Sequence, residues 1–216
     1  MKKEIYVFSG LGADERVFQL LEFPGYAVTF VQWIPPQNKE TIQQYAARLL
    51  AQITSPKPIL IGLSFGGLMA VEVAKQLDTE KVILIASVKT RNELPPYYRL
   101  IGKLRLHQIV PAGLLKRSTW ITDWFFGAAS TFDKAMLKQI LKDTDPGFLK
   151  WAIDQVLNWT NQDKPQQLVH IHGSADRILP LRFVHYDYNV QGGGHLMTLN
   201  KAEELNLLLQ AQLQTR

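Results

Sequence analysis

The fold is decided by residues 58–66, Pro58-Ile-Leu-Ile-Gly62-Leu-Ser64-Phe-Gly66, where an apolar run meets a glycine-flanked serine. The apolar run predicts a buried strand, and the pattern over 65–77 predicts a helix directly after it. The motif Gly62-x-Ser64-x-Gly66 thus lies at a strand-to-helix turn, where only small residues two positions either side of the serine allow a close approach. Such a turn exposes the Ser64 hydroxyl at the sheet edge, so Ser64 is a candidate nucleophile; a purely structural turn is the alternative.

Strand and helix patterns alternate on both sides of this turn. Continuous apolar runs, which suit strands covered on both faces, predict strands over 5–8, 26–33, 58–63, 81–88, 168–172 and 183–190. Helical periodicity falls between them, around 14–21, over 41–53 and 65–77, and again in a closing helix over 201–213. This alternation is typical of right-handed crossovers in a parallel sheet. The predicted fold class is therefore α/β, with a mostly parallel six-stranded sheet between two helical layers.

The alternation stops between residues 89 and 165. This segment has short helical patches separated by prolines, and it carries ten of the chain's 22 aromatic residues. The simplest organisation is an α/β core made of residues 1–88 and 166–216, with residues 89–165 as a helical insertion.

A serine hydroxyl needs a base to take its proton, so one of the five histidines is expected to lie beside Ser64. His195 is the candidate, because Gly192-Gly-Gly194 gives the preceding loop the freedom to present it at a sheet edge before the last helix. Asp176, which follows the 168–172 strand, is the candidate acid that orients His195. Asp187 is the rival acid, but it is predicted to lie inside the next strand.

The loop after the first strand, Phe8-Ser9-Gly10-Leu11-Gly12, is the expected source of an oxyanion-binding group. The backbone N–H of Leu11 and the N–H of Phe65, at the start of the helix after Ser64, are the two candidate donors. The glycines could also be interpreted as a phosphate cradle. Because neither a dinucleotide fingerprint nor a P-loop lysine is present, no nucleotide site is predicted.

With these motifs in chain order, the sequence resembles the α/β-hydrolase superfamily over its whole length apart from the insertion. The resemblance implies Ser64 as nucleophile, Asp176 as acid, His195 as base, an oxyanion hole at Leu11 and Phe65, and a helical cap formed by residues 89–165. It implies no metal and no cofactor.

Three features depart from the family pattern. Ser9-Gly10 replaces the His-Gly that is frequent in the oxyanion loop. The sequence starts directly at the oxyanion-loop strand, which leaves a minimal six-stranded sheet. Only 19 positions separate Asp176 from His195, so the helix that normally joins the last two strands is expected to be reduced to a loop.

Charge and composition narrow the possible partners. The net charge is +5, yet residues 81–120 alone carry +7, which suits either a solvated helix face or attraction of an anionic substrate or membrane surface. No nucleic-acid-reading motif accompanies this basic segment. No apolar run is long enough to span a bilayer, and the absence of cysteine fits a reducing compartment, so a cytoplasmic protein is expected.

The expected activity is hydrolysis of a small-molecule carboxylic ester through an acyl-enzyme. Peptidase activity and carbon–carbon hydrolase or lyase chemistry remain possible on the same fold. Two further alternatives are more specific. One is a thioesterase, whose anionic carrier, such as coenzyme A, would meet the basic segment. The other is a non-catalytic ligand-binding protein of the same fold. The sequence does not indicate an oligomeric state.

Overall fold

In a computed structural model, which describes residues 2–111, 113, 116 and 118–214, the chain forms a parallel sheet covered by helices on both faces. The described residues contribute six strands in the order β2-β1-β3-β4-β5-β6, and every neighbouring pair is parallel. The strands are β1 (Glu4–Phe8), β2 (Ala27–Phe30), β3 (Ile59–Leu63), β4 (Lys81–Ile85), β5 (Leu168–Gly173) and β6 (Tyr188–Val190). The predicted fold class is confirmed.

Alternate side chains of the central strands enter two separate cores. Tyr6 and Leu60 pack on the face covered by α1 (Ile42–Leu49) and α2 (Phe65–Ala74). Their neighbours Val7 and Ile61 pack on the opposite face. Because both faces are covered, β3 and β4 are buried at every residue, which explains why their sequences are continuous apolar runs rather than alternating ones.

The remaining helices lie between β4 and β5 and after β6. Residues 89–165 contain α3 (Pro96–Lys103), α4 (Leu106–Ile109), α5 (Trp120–Phe126), α6 (Thr131–Asp143) and α7 (Pro146–Leu157). The chain then returns to the sheet with β5 and β6, and α8 (Met197–Asn200) and α9 (Ala202–Gln214) follow. Short 3₁₀ turns lie at Glu15–Phe18, Leu50–Gln52, Arg91–Glu93 and Leu181–Phe183. In the part of the chain that the structure describes, no helix combines the length and apolarity that crossing a membrane requires.

Two strands are shorter than the sequence predicts. The predicted strand over 26–33 pairs only at Ala27–Phe30, and that over 183–190 only at Tyr188–Val190. Residues before Tyr188 form the return connection from β5, because a parallel partner must start again at the same edge of the sheet. As expected from the short spacing, this connection contains only the 3₁₀ turn Leu181–Phe183.

Candidate active site

Ser64 sits on a strained turn between β3 and α2. Its backbone angles, φ 53° and ψ −120°, lie in a region that residues with a side chain rarely occupy. The turn is held by hydrogen bonds at both of its backbone groups: Ser64 N donates to Ile85 O (3.0 Å), and Ser64 O accepts from Gly67 N (2.9 Å) and Ser87 Oγ (2.7 Å). The fixed turn sets the position of the Ser64 hydroxyl.

The glycines around Ser64 are required for space. A β-carbon on Gly62 would overlap the backbone of Gly66 and Gly67, and one on Gly66 would overlap the carbonyl oxygens of Phe8 and Ser9. Helix α2 thus lies so close to β1 and β3 that glycine is required at both flanking positions of the Gly62-x-Ser64-x-Gly66 motif. The motif does not include Gly67, although a β-carbon there would overlap the buried Ser87.

The structure brings together the three side chains singled out by the sequence. His195 Nε2 lies 2.7 Å from Ser64 Oγ, and His195 Nδ1 lies 2.8 Å from Asp176 Oδ2. Asp176 and His195 are buried, and Ser64 is half-buried. The hydroxyl, the imidazole and the carboxylate thus form one continuous hydrogen-bonded chain.

Asp176 is held as an acceptor on both of its oxygens. Oδ1 accepts hydrogen bonds from Ile178 N (2.9 Å) and Leu179 N (2.8 Å), while Oδ2 faces His195. Burial opposes ionisation, but the electrostatic interaction with His195 and the hydrogen bonds from His195 and Leu179 N outweigh burial and hold the pKa of Asp176 below its ordinary value. Asp176 is therefore a carboxylate at neutral pH.

The rival acid lies elsewhere. The prediction that Asp187 lies inside a strand is wrong. Asp187 immediately precedes β6, because the chain up to that residue forms the connection from β5. Its Oδ2 accepts from the backbone N–H of His170, at 2.7 Å. The Asp187 carboxylate is thus hydrogen-bonded to the backbone of β5 at the start of β6, whereas His195 pairs with Asp176.

The two candidate oxyanion donors border the same space as Ser64. Leu11 is the second residue of a turn closed by Ala13 N donating to Gly10 O (3.0 Å), a position whose N–H is left free. Ser9, which stands where histidine is frequent, is buried and donates to Ala13 O (2.6 Å), so it closes this loop. Within the described residues, neither the N–H of Leu11 nor that of Phe65 has a hydrogen-bond acceptor.

Ser64 and His195 open onto an apolar cavity of about 330 Å³. Its walls come from the loop after β1, from α2 and, on the far side, from the helices of residues 89–165. The aliphatic and aromatic residues that these helices contribute are Tyr98, Phe126, Leu137, Ile140, Leu141, Leu149, Ile153, Val156 and Leu157. Apart from His195, no ionisable side chain other than the Tyr98 phenol lines the cavity among the described residues, so the cavity suits an uncharged apolar group.

Helix α5 is attached to the loops that carry Asp176 and His195. Phe126 O accepts from Leu196 N (3.1 Å), and the Phe126 ring meets the His195 imidazole edge-on, with centroids 5.7 Å apart. The guanidinium of Arg177 donates to Trp124 O (2.7 Å) and covers the Trp124 ring. These contacts could not be predicted from the sequence, because no local pattern links residues that are 53 to 70 positions apart.

Two buried histidines of β5 lie behind Asp176. His172 Nε2 donates to Leu179 O (2.8 Å) and lies 3.7 Å from Asp176 Oδ2, and His172 Nδ1 lies 3.2 Å from His170 Nε2. Burial, followed by the electrostatic interaction with His172, lowers the pKa of His170 to about 3; burial also lowers the pKa of His172, against the attraction of Asp176. Both imidazoles are therefore neutral in the folded protein at neutral pH.

This burial predicts acid sensitivity of the fold. Between about pH 6.5 and pH 3 the unfolded chain protonates His170 and the folded chain does not, so the free energy of unfolding falls as the pH falls. Going from pH 7 to pH 5 should cost about 2 kcal/mol through His170 alone. Urea unfolding at both pH values should show a smaller loss in His170→Asn. His185→Asn is the control, because the His185 side chain is 87% exposed, and it should retain the full loss. Equal losses in all three proteins would contradict the prediction.

The alpha/beta hydrolase family matches residues 6–206 of the chain. Comparison with curated proteins finds no match. Among solved structures, the chain is similar to a bromoperoxidase from Bacillus anthracis, at 18% sequence identity and a TM-score of 0.73, covering 100% of this chain and 93% of that one.

Two esterases are similar to a comparable degree. For the esterase from Exiguobacterium antarcticum, the identity is 17% and the TM-score 0.72, covering 99% of this chain and 92% of the other. For a thermophilic esterase from Thermogutta terrifontis, the values are 16% and 0.66, covering 98% and 89%. These likenesses show a shared fold, and the family match spans nearly the whole sequence. The chain belongs to the alpha/beta hydrolase family.

Proposed function

We propose that this protein is a serine hydrolase that cleaves carboxylic esters with an uncharged apolar acyl or alcohol group. The observation that carries the proposal is the hydrogen-bonded chain from Asp176 through His195 to Ser64, with distances of 2.8 and 2.7 Å, at the wall of an apolar cavity. Acyl transfer by a serine requires this combination of nucleophile, base and orienting acid.

In the proposed mechanism, His195 Nε2 takes the proton of Ser64 Oγ as the oxygen attacks the ester carbonyl carbon. The N–H groups of Leu11 and Phe65 donate to the carbonyl oxygen as it becomes an oxyanion, a contribution of roughly 10²–10³ in rate for each donor. His195 then protonates the leaving alcohol, and an acyl group remains on Ser64. Water, deprotonated by His195, releases the acid. Asp176 stabilises the imidazolium in both halves of the cycle.

Residues 89–165 are proposed as a cap over a core made of residues 1–88 and 166–216. The contribution of α3, α5, α6 and α7 to the cavity wall supports this division. The cap would supply most of the apolar surface that holds the substrate and would exclude water from the acyl-enzyme.

Labelling with a fluorophosphonate probe tests the proposal, because this probe reacts covalently with activated serines. The wild-type protein should be labelled, and labelling should disappear in Ser64→Ala and in His195→Ala. Ser55→Ala, a half-buried serine between α1 and β3, is the matched control and should be labelled like the wild type. A folded wild-type protein that resists labelling, or a labelled Ser64→Ala, would favour a non-catalytic binding protein.

A further inference from the structure

Large apolar side chains are exposed on the helices that enclose the cavity. Ile109 is 79% exposed and Trp120 is 78% exposed, values unusual for residues of this size. These side chains, together with two exposed basic residues among them, define what we call the apolar-basic face. Its members are Leu100, Lys103, Leu104, Arg105, Leu106, Ile109, Trp120, Ile121, Trp124 and Phe125.

Helix α5 presents apolar residues both to the cavity and to solvent. Thr122 and Phe126, four positions apart, line the cavity. The opposite arc, at positions 120, 121, 124 and 125, is exposed and wholly apolar, although this is the arc that a helix of an isolated protein fills with polar residues. The outer surface of α5 therefore has the composition of a surface that is covered.

The elements that carry the face border one rim of the cavity. Tyr98 of α3 donates to Ile178 O (2.9 Å), and the neighbouring Arg177 donates to Trp124 O of α5. Both helices also line the cavity, and α4 packs beside α3. The outer side of the cavity wall is thus the side that exposes these apolar residues.

The charge around the apolar-basic face indicates which kind of partner it binds. Residues 94–125, which include every member of the face, contain five basic residues and one acidic residue, the half-buried Asp123. Among the described residues, Lys103 and Arg105 are exposed and form no ion pair. Two copies of the chain that met through this face would bring like charges together, which costs binding free energy. A partner with negative charges at its surface and an apolar layer beneath them would match both the basic and the apolar residues of the face.

We propose that the apolar-basic face docks onto the surface of an anionic lipid bilayer. Trp120 and Ile109 would enter the boundary between headgroups and acyl chains, where tryptophan is favoured, and Lys103 and Arg105 would contact lipid phosphates. Given the proposed function, docking would bring the cavity wall against the phase in which apolar esters dissolve.

Co-sedimentation with vesicles tests the docking without any use of activity. The Ser64→Ala protein should sediment with phosphatidylglycerol vesicles at low ionic strength and not with phosphatidylcholine vesicles. Salt should weaken the interaction, because it screens the attraction between the basic residues and the lipid phosphates. No sedimentation with phosphatidylglycerol, or equal sedimentation with both lipids, would overturn the proposal.

Two pairs of variants assign the binding to this face. Lys103→Gln combined with Arg105→Gln should weaken binding about 25-fold, since each basic residue near an anionic surface contributes about fivefold. Trp120→Ala should weaken it at least fivefold. The controls are Lys164→Gln and Leu207→Ala, which remove an exposed charge and a 70% exposed leucine elsewhere, and both should bind like the parent protein. Unchanged binding in the face variants would overturn the proposal.

Sedimentation velocity without lipid addresses the competing occupant. A monomer is expected. A dimer that Trp120→Ala dissociates would assign the face to a second copy and overturn the lipid proposal. Vesicle binding is measured in Ser64→Ala and therefore does not depend on activity. A failure of fluorophosphonate labelling would contradict the proposed hydrolase activity but not the docking. A failure of vesicle binding would contradict the docking but not the hydrolase activity.

Discussion

Replacing Asp176 with asparagine should lower the turnover of an ester substrate about 10⁴-fold while leaving the fold intact. The reason lies in the two oxygens of this side chain. Oδ1 accepts from two backbone N–H groups, those of Ile178 and Leu179, so an asparagine must place its carbonyl oxygen there. Its amide N–H₂ then faces His195 Nδ1, which has to accept. The imidazole proton moves to Nε2, and Nε2 can no longer take the proton of Ser64.

Asp187→Asn is the matched control for this variant. Its carboxylate accepts only the backbone N–H of His170, away from His195, so turnover should stay at the wild-type value. The measurements are kcat for hydrolysis of a p-nitrophenyl ester and the rate of fluorophosphonate labelling, with circular dichroism to verify folding. A folded Asp176→Asn within tenfold of wild type would contradict the assignment of the acid, and a large loss in Asp187→Asn would transfer it.

The central part of the sheet could be predicted because its signals are local. Strands β3 and β4 are buried on both faces and thus carry uninterrupted apolar runs, and the turn at Ser64 requires glycines at fixed offsets. The two residues that lie beside Ser64 in the folded protein could be predicted for a related reason. Asp176 and His195 lie in the loops that follow β5 and β6, and the carboxyl ends of parallel strands lie at one edge of a sheet.

Features that depend on distant packing could not be predicted. Phe183 and Val184 have the composition of a strand, but composition does not tell whether backbone groups pair, and the crossover needs these residues. The contact between Arg177 and Trp124 joins the turn that follows Asp176 to helix α5, and no sequence periodicity indicates it. The apolar outer arc of α5 is similar: a helical pattern indicates an apolar face but not whether that face meets the core or solvent.

Gly66→Ala should lower the free energy of unfolding by about 3 kcal/mol or more. Helix propensity alone predicts the opposite sign, because alanine is favoured over glycine by about 1 kcal/mol inside a helix. The steric overlap is expected to outweigh the helix propensity. The added β-carbon would overlap the carbonyl oxygens of Phe8 and Ser9, which are backbone atoms and cannot rotate away. To relieve the overlap, α2 must move off the end of β1, and the buried contacts between them are lost.

Gly10→Ala separates this steric effect from a general intolerance of the loops around Ser64. A β-carbon on Gly10 would have its nearest neighbour, Ser64 Cβ, at 3.7 Å, which is ordinary van der Waals contact. Urea unfolding should therefore place Gly10→Ala within about 1 kcal/mol of wild type. If Gly66→Ala were as stable as wild type or more so, helix propensity would outweigh the overlap. The close approach of α2 to β1, which positions the Ser64 turn, would then not be a feature of the folded protein.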